Sequence, residues 1–436
     1  MERDYVAVIQ AGGKGTRMAA LTKDRIPKPM LELNGKPMLQ WQMEQTAACG
    51  IREFVVITGH LGEQIREYFG DGKKLGVHIR YIEEKEPLGS AGALYFLREM
   101  GEKRDFLLVF GDVMFGLDWE RMVRFHEQKG GLATLLVHPN AHPYDSDLLV
   151  LSEDGEVTGM DAKGKVRDYW YGNCVNAGLY VFRNRILDRF PRPVRADLEK
   201  DILAPLMGTG EIFGYRTPEY VKDAGTPERF LAVCREQAEG LWSRKCLKNR
   251  QKCIFLDRDG TLNRYDGLVS REEQLVLEPR AARAVERINR SGCLAVVVTN
   301  QPVVARGMCS MEDVGNIHRK LETLLGNEGA YLDAIVFCPH HPDSGYPEEN
   351  PAYKIPCRCR KPATGMIEAV AERFHIDLGQ SWMVGDSTVD IQTGKNAGMK
   401  TVLVLTGMAG TDGKYPVEAD YVAKDLEEAA DRILGG

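Results

Sequence analysis

Two stretches of this chain carry residue types suited to handling phosphate. Near the start, Gln10-Ala11-Gly12-Gly13-Lys14-Gly15-Thr16-Arg17 places small residues where backbone amides can wrap around an oxyanion, with Lys14 and Arg17 supplying charge beside Thr16. Its spacing matches neither the Walker loop nor the dinucleotide fingerprint, so the loop alone reads as readily as a structural turn. In the second half, Asp257-Arg258-Asp259-Gly260-Thr261 sets two carboxylates two residues apart. One could attack a phosphorus atom while the other moves a proton, although a lone Asp-x-Asp is more often a solvated loop. A third group, Cys338-Pro339-His340-His341 with Cys357-Arg358-Cys359, brackets a loop rich in Pro, Gly and Tyr. Three thiolates and one imidazole match a closed structural Zn²⁺ site, with His340 and His341 competing for the fourth position.

The elements that must position these groups are legible as short apolar runs. Residues 5–9, 53–57 and 105–110 are such runs, separated by helical-length segments such as 38–49. This alternation predicts an α/β domain with a largely parallel sheet. Residues 253–256, 294–298, 334–337, 382–384 and 401–405 repeat the design and predict a second α/β domain. Between them, 227–242 reads as helix, and the basic stretch 243–252 lacks an apolar face. The expected domains are therefore 1–240 and 251–436, with a linker over 241–250.

Composition agrees with two domains, because 436 residues exceed the usual single-core limit of about 250–300. Charged residues at 28% and a net charge of −6 give no electrostatic footprint for nucleic acid or acidic lipid, so an anionic substrate must meet local positive charge. There is no run of about 18 apolar residues, and Met1-Glu2-Arg3-Asp4 leads directly into a strand pattern, which argues against a membrane span or signal peptide and predicts a cytoplasmic location. The other cysteines, Cys49, Cys174, Cys234, Cys246, Cys253, Cys293 and Cys309, are scattered, and in that compartment the grouped ones favour metal over disulfides.

The string Gly12-Gly13-Lys14-Gly15-Thr16-Arg17 followed by Pro27-Lys28-Pro29 resembles the signature of sugar-1-phosphate nucleotidyltransferases. The likeness continues through Pro87-Leu88-Gly89-Ser90-Ala91-Gly92, Phe110-Gly111-Asp112, Asn176-Ala177-Gly178, Glu199-Lys200 and Lys222-Asp223-Ala224-Gly225, over roughly residues 4–235. It implies a Rossmann-like, GT-A-like mixed sheet. By the same likeness Gly12, Gly13, Gly15 and Arg17 would hold the nucleotide, Lys28 would meet the reacting phosphate, and Asp112 and Asp223 would hold Mg²⁺. Asn176, Glu199 and Lys200 would grip a sugar phosphate, and Gly89 and Gly92 would line the cleft. Met18-Ala19-Ala20 departs from the family's usual turn.

Asp257-x-Asp259-Gly260-Thr261, Thr299-Asn300-Gln301, Arg360-Lys361-Pro362 and Gly385-Asp386 occur in an order that resembles the haloacid dehalogenase superfamily of phosphatases. The resemblance implies a parallel Rossmannoid sheet, with Asp257 as nucleophile, Asp259 as acid and base, and Thr299 and Lys361 on the phosphoryl oxygens. Asp386, Asp257 and the backbone carbonyl of Asp259 would hold Mg²⁺. The zinc loop running into Arg360 resembles the branch that includes heptose bisphosphate and histidinol phosphate phosphatases. It implies Cys338, His340, Cys357 and Cys359 as Zn²⁺ ligands and Asn300, Arg306 and Arg360 as pocket residues. Pro302 and Ser387 depart from the usual residues at the pocket edge.

Together these likenesses predict a bifunctional enzyme acting on a sugar phosphate and a nucleoside triphosphate. It would clear the 7-phosphate of a heptose 1,7-bisphosphate and then join the 1-phosphate to a nucleotide, GTP being the preferred donor. The alternatives are a mannose or glucose 1-phosphate transferase with a phosphatase for another small monoester, histidinol phosphate being the weaker choice, or one inactive half serving as a sensor. No nucleic-acid or membrane partner is expected, and self-association is left open.

Overall fold

The computed structural model describes residues 5–343, 345 and 348–435; Met1 to Asp4, expected to lead into the first strand, lie outside them. The chain forms two compact units.

The first comprises residues 1–138, 149–161 and 176–246. Tyr5–Gln10 is its central strand, flanked in parallel by Glu53–Thr58 and Asp105–Phe110, with His78–Glu83 parallel beyond Glu53–Thr58. Val175–Phe182 runs antiparallel against Asp105–Phe110, so the sheet is mixed, as the family resemblance implies, where the apolar runs alone predict a largely parallel one. The central runs are apolar throughout because both sheet faces are covered. Ala7, Ile9, Phe54, Val56, Leu107 and Val109 fill one side with Leu39 and Met43 from the helix Met38–Ala47.

A separate antiparallel ladder joins Val113–Gly116 to Tyr220–Asp223. It feeds the helix Pro227–Ala238, which Thr226 caps and Pro227 opens, both favoured residues there. The expected helix over 227–242 breaks at Gly240, whose left-handed φ of 75° ends one helix and starts the short Leu241–Arg244. Residues of the expected linker are not all solvated: Leu241 and Trp242 pack with Met18, Met38, Met114 and Phe230. Leu247 packs with Phe255, Phe374 and Ile376. Isolated apolar residues without a period are invisible to a pattern search.

The second unit comprises residues 139–148, 162–175 and 247–436. Its sheet is wholly parallel, in the order Ala334–Cys338, Leu294–Asn300, Cys253–Leu256, Trp382–Gly385, Lys400–Val404, Tyr421–Ala423. Within this unit Tyr171 N–H donates to Thr323 Oγ1 at 3.0 Å, tying residues 162–175 to the helix Met311–Asn327. Among the described residues no helix is long and apolar enough to cross a membrane.

Candidate active sites

In open α/β sheets, ligands bind beyond the carboxyl ends of the parallel strands. In the first unit the Gly-rich loop leaves that end of Tyr5–Gln10, Gly59 follows Glu53–Thr58, and Gly111-Asp112 follows Asp105–Phe110. Ala11 N–H donates to Ile57 O at 2.8 Å. A Cβ on Gly12 would meet the Glu84 carboxylate at 2.7 Å and Gly59 N at 3.3 Å, so only glycine lets the loop lie this close. Gly13, Lys14, Thr16 and Arg17 are exposed, open to an incoming anion.

Lys28, by contrast, is buried, with Nζ 2.7 Å from Asp112 Oδ2. The ladder sets Asp223 opposite Val113, and Ala224 N–H donates to Asp112 O at 2.8 Å, so the backbones that carry Asp112 and Asp223 run side by side. Asp223 Oδ2 accepts from Arg229 Nη1 at 2.7 Å. Two neighbouring carboxylates suit Mg²⁺, which keeps several waters and takes further oxygens from substrate phosphates.

Elsewhere in this unit Asn176 Nδ2 donates to Glu199 Oε1 at 2.7 Å and to Tyr180 Oη at 2.8 Å. Asp197 caps the turn by accepting from the backbone N–H groups of Glu199 and Lys200, and Lys200 is exposed. Gly89 and Gly92, expected in the cleft lining, have a backbone reason to be glycine. A Cβ on Gly89 would stand 2.4 Å from Ala196 O, and one on Gly92 2.2 Å from Val194 O.

In the second unit Asp257 leaves the end of Cys253–Leu256, between the ends of Leu294–Asn300 and Trp382–Gly385. Lys361 Nζ lies 2.8 Å from Asp257 Oδ1 and 2.5 Å from Asp390 Oδ1, and all three side chains are largely or fully buried. Asp257, Asp386 and Asp390 bring one oxygen each within 4.8 Å of one another. The third carboxylate of this group is Asp390, which is not among the ligands expected from the sequence. Asp259 instead accepts from Arg258 Nε at 3.0 Å, Asn263 Nδ2 at 3.0 Å and Gln301 Nε2 at 2.8 Å.

Three carboxylates facing one ammonium leave a formal excess of two negative charges, the complement of one divalent cation. The excess shows in the titration of the acids. Burial, then the Asp390 charge, pushes Asp257 up to about 6, with Lys361 opposing. Burial, then Asp257 and Asp390, pushes Asp386 up to about 8. A hard cation with oxygen ligands fits this donor set.

The expected pocket residues sit in well-tied surroundings. Asn300 accepts from Lys361 N–H through Oδ1 at 2.9 Å and donates to Lys361 O through Nδ2 at 3.1 Å, so its amide grips the lysine's backbone. Arg360 Nη1 donates to His340 O at 3.0 Å. Arg306 is half-buried in a turn held where Asn350 N–H donates to Ala305 O at 3.0 Å. Thr299 is buried, its Oγ1 accepting from Gln301 Nε2 at 3.0 Å.

Cys338, His340, Cys357 and Cys359 converge. The sulfur pairs stand 3.1, 3.2 and 3.5 Å apart, and His340 Nδ1 stands 3.3 Å from Cys359 Sγ. Ligands about 2.0–2.3 Å from a tetrahedral Zn²⁺ are separated by edges of this order. His341 is turned away, its Nδ1 accepting from Asp343 N–H at 3.2 Å.

The nucleotidyl transferase family model matches residues 6–240, more than half of the chain, and the HAD-hydrolase-like model matches residues 358–429. The chain belongs to the nucleotidyl transferase family, with a HAD phosphatase domain as its second half. That half is 39% identical over 187 residues to the D-glycero-D-manno-heptose-1,7-bisphosphate 7-phosphatase of Thermosynechococcus vestitus, covering 41% of this chain and 94% of the relative. The transferase half is 32% identical over 239 residues to the mannose-1-phosphate guanylyltransferase of Mycobacterium tuberculosis, covering 54% of this chain but only 65% of the relative's length. A solved D,D-heptose 1,7-bisphosphate phosphatase from B. bronchiseptica, complexed with magnesium and phosphate, is 34% identical, with a TM-score of 0.38, over 42% of this chain and 99% of its own.

Some residues of the two sites are not among those expected from the sequence. In the transferase half Gln42, buried mid-helix, donates to Phe110 O at 2.9 Å and Val113 O at 2.8 Å, bracing the turn that carries Asp112. In the phosphatase half Asp390 lies one helical turn beyond Asp386, and its spacing from the strand end is the signal that could have marked it.

Two outcomes follow from this geometry. Folding raises the affinity of Asp257 and Asp386 for protons, so their contribution to the Mg²⁺-free protein is full below about pH 4 and is lost as pH rises through about 6 and about 8. Mg²⁺ competes with those protons, so thermal melts should show a larger Mg²⁺-induced rise in Tm at about pH 8.5 than at about pH 5.5; equal rises would contradict the charge excess. For the second site, colorimetric metal release should find about one Zn²⁺ per chain, and Cys359→Ser should abolish it and lower the Tm of the phosphatase half.

Proposed function

We propose that the chain hydrolyses the 7-phosphate of D-glycero-D-manno-heptose 1,7-bisphosphate and then transfers a nucleotidyl group, from GTP, to the remaining 1-phosphate, releasing pyrophosphate and a nucleotide-activated heptose. The observation that carries this reading is the union in one chain of a transferase site with a phosphatase half 39% identical to a 7-phosphatase across nearly all of that relative. A sugar 1-phosphate is what the first reaction leaves and what the second consumes.

In the phosphatase half Asp257 attacks the phosphorus and forms an aspartyl phosphate, splitting a hard displacement into two easier ones. Lys361, held by Asp257 and Asp390, neutralises the transferring oxygens, and Thr299 adds a hydroxyl. Asp259 gives a proton to the leaving alkoxide and later takes one from water. In the transferase half Arg17 and the loop glycines hold the triphosphate, Lys28 turns from Asp112 to the α-phosphate, and Asn176, Glu199 and Lys200 seat the sugar phosphate for in-line attack. Asp112 and Asp223 in one half, and Asp257, Asp386 and Asp390 in the other, would hold Mg²⁺, which would supply positive charge to the phosphoryl oxygens.

A second reading, mannose 1-phosphate as the acceptor, is favoured by the guanylyltransferase relatives of the transferase half, one from Mycobacterium tuberculosis and one from Xenopus tropicalis. Incubating the full chain with the α- and β-heptose 1,7-bisphosphates, mannose 1-phosphate and glucose 1-phosphate, each with separate nucleoside triphosphates, distinguishes the two. We expect phosphate release from a heptose bisphosphate and a GDP-linked heptose; no phosphate release from either anomer would refute the reading, and a GDP-mannose product alone would establish the second.

A further inference from the structure

Between the two aspartates of the phosphatase site stands Arg258, whose side chain is fully buried. A guanidinium taken out of water must have its donors satisfied, or its burial is strongly unfavourable. Arg258 directs Nε to Asp259 Oδ1 at 3.0 Å, and Nη2 to Oδ1 at 2.9 Å and Oδ2 at 3.0 Å. Its remaining terminal nitrogen, Nη1, lies 3.2 Å from His318 Nε2. Burial and the nearby guanidinium push the His318 pKa down, so the neutral ring can accept through Nε2. His318 itself is held on the helix Met311–Asn327 and packs edge-on to Phe337, with ring centroids 5.1 Å apart.

The remaining partners of Asp259 fix its direction. Asn263 Nδ2 binds Oδ1, while Gln301 Nε2 binds Oδ2 and, at 3.0 Å, Thr299 Oγ1. Gln301 thereby connects Oδ2 to the strand end that carries Thr299.

We propose that Arg258, backed by His318, is a positioning residue that holds Asp259 in the orientation from which it delivers its proton to the departing alcohol. The inference rests on Asp259 being the acid of the proposed reaction. In the first half-reaction an Asp257 oxygen bonds to phosphorus, the ester P–O bond breaks, and the Asp259 proton moves to the leaving oxygen. In the second, Asp259 takes a proton from the water that displaces Asp257 from phosphorus. The arginine touches no reacting atom and acts through the rotamer of Asp259.

A positioning role has a signature that loss of stability lacks. A sugar alkoxide needs the proton to depart, whereas 4-nitrophenolate hardly does. The test is the single-turnover rate of alcohol release by the full-length, zinc-loaded chain at saturating Mg²⁺, with D-glycero-D-manno-heptose 1,7-bisphosphate and with 4-nitrophenyl phosphate. Arg258→Met is expected to slow the sugar phosphate about 100-fold and the aryl phosphate less than about fivefold, within the range of acid catalysis. His318→Leu should show the same selectivity at smaller size, and His318→Gln, which keeps an acceptor, should restore the wild-type ratio. If Arg258→Met does not fold, the two His318 variants decide. Equal slowing of both substrates, with Asp259→Asn still selective, overturns the positioning role. Equal slowing in Asp259→Asn shows instead that Asp259 is not the acid, and the proposal falls with that assignment.

Discussion

The phosphatase half is organised around one buried ammonium. Lys361 stands between Asp257 and Asp390 with Asp386 beside them, and it leaves the three carboxylates short of positive charge. Much of the surrounding structure keeps that lysine in place. Asn300 grips its backbone on both sides, and Arg360, the preceding residue, binds the carbonyl of His340 inside the Cys/His cluster. Cys359 lies two positions before Lys361, so metal at that cluster would fix the path of the chain as it enters the site. Metal bound there would thereby bear on the active site, because a closed zinc site can order a loop that has no core of its own.

The transferase half uses paired charge in the same manner. Lys28 with Asp112, and Arg229 with Asp223, hold the groups that a nucleotide and its metal would engage. The ladder between Val113–Gly116 and Tyr220–Asp223 accomplishes what no local motif could, bringing together two acids far apart in sequence. Both halves place acids just beyond the carboxyl ends of parallel strands, Asp112 after Asp105–Phe110, Asp257 after Cys253–Leu256 and Asp386 after Trp382–Gly385.

What the sequence revealed follows from which interactions are local. The strands over 5–10, 53–58 and 253–256 are continuous apolar runs, and the Gly-rich, Asp-x-Asp and Cys/His groups are contiguous, so each is readable from its own spacing. The antiparallel Val175–Phe182 was not, because strand direction is set by long-range pairing. The grip of Asn300 on Lys361 was hidden for a related reason: its partner is the peptide of a residue from another element. Arg258 and Gln42 are placed by burial and long-range contacts, neither of which is visible in residue type, whereas the spacing of Asp390 from the strand end is a local signal. The break at Gly240 was open to view, since glycine near the end of a periodic helix is a stop signal.

On the proposed function the two halves act in succession, with dephosphorylation first, and one variant tests that order directly. In full-length Asp257→Asn supplied with GTP, the heptose 1,7-bisphosphate should yield no nucleotide sugar, while purified heptose 1-phosphate should still be converted at the wild-type rate, as followed by phosphorus NMR. A nucleotide sugar that retains its 7-phosphate, or loss of activity on the 1-phosphate, would contradict it.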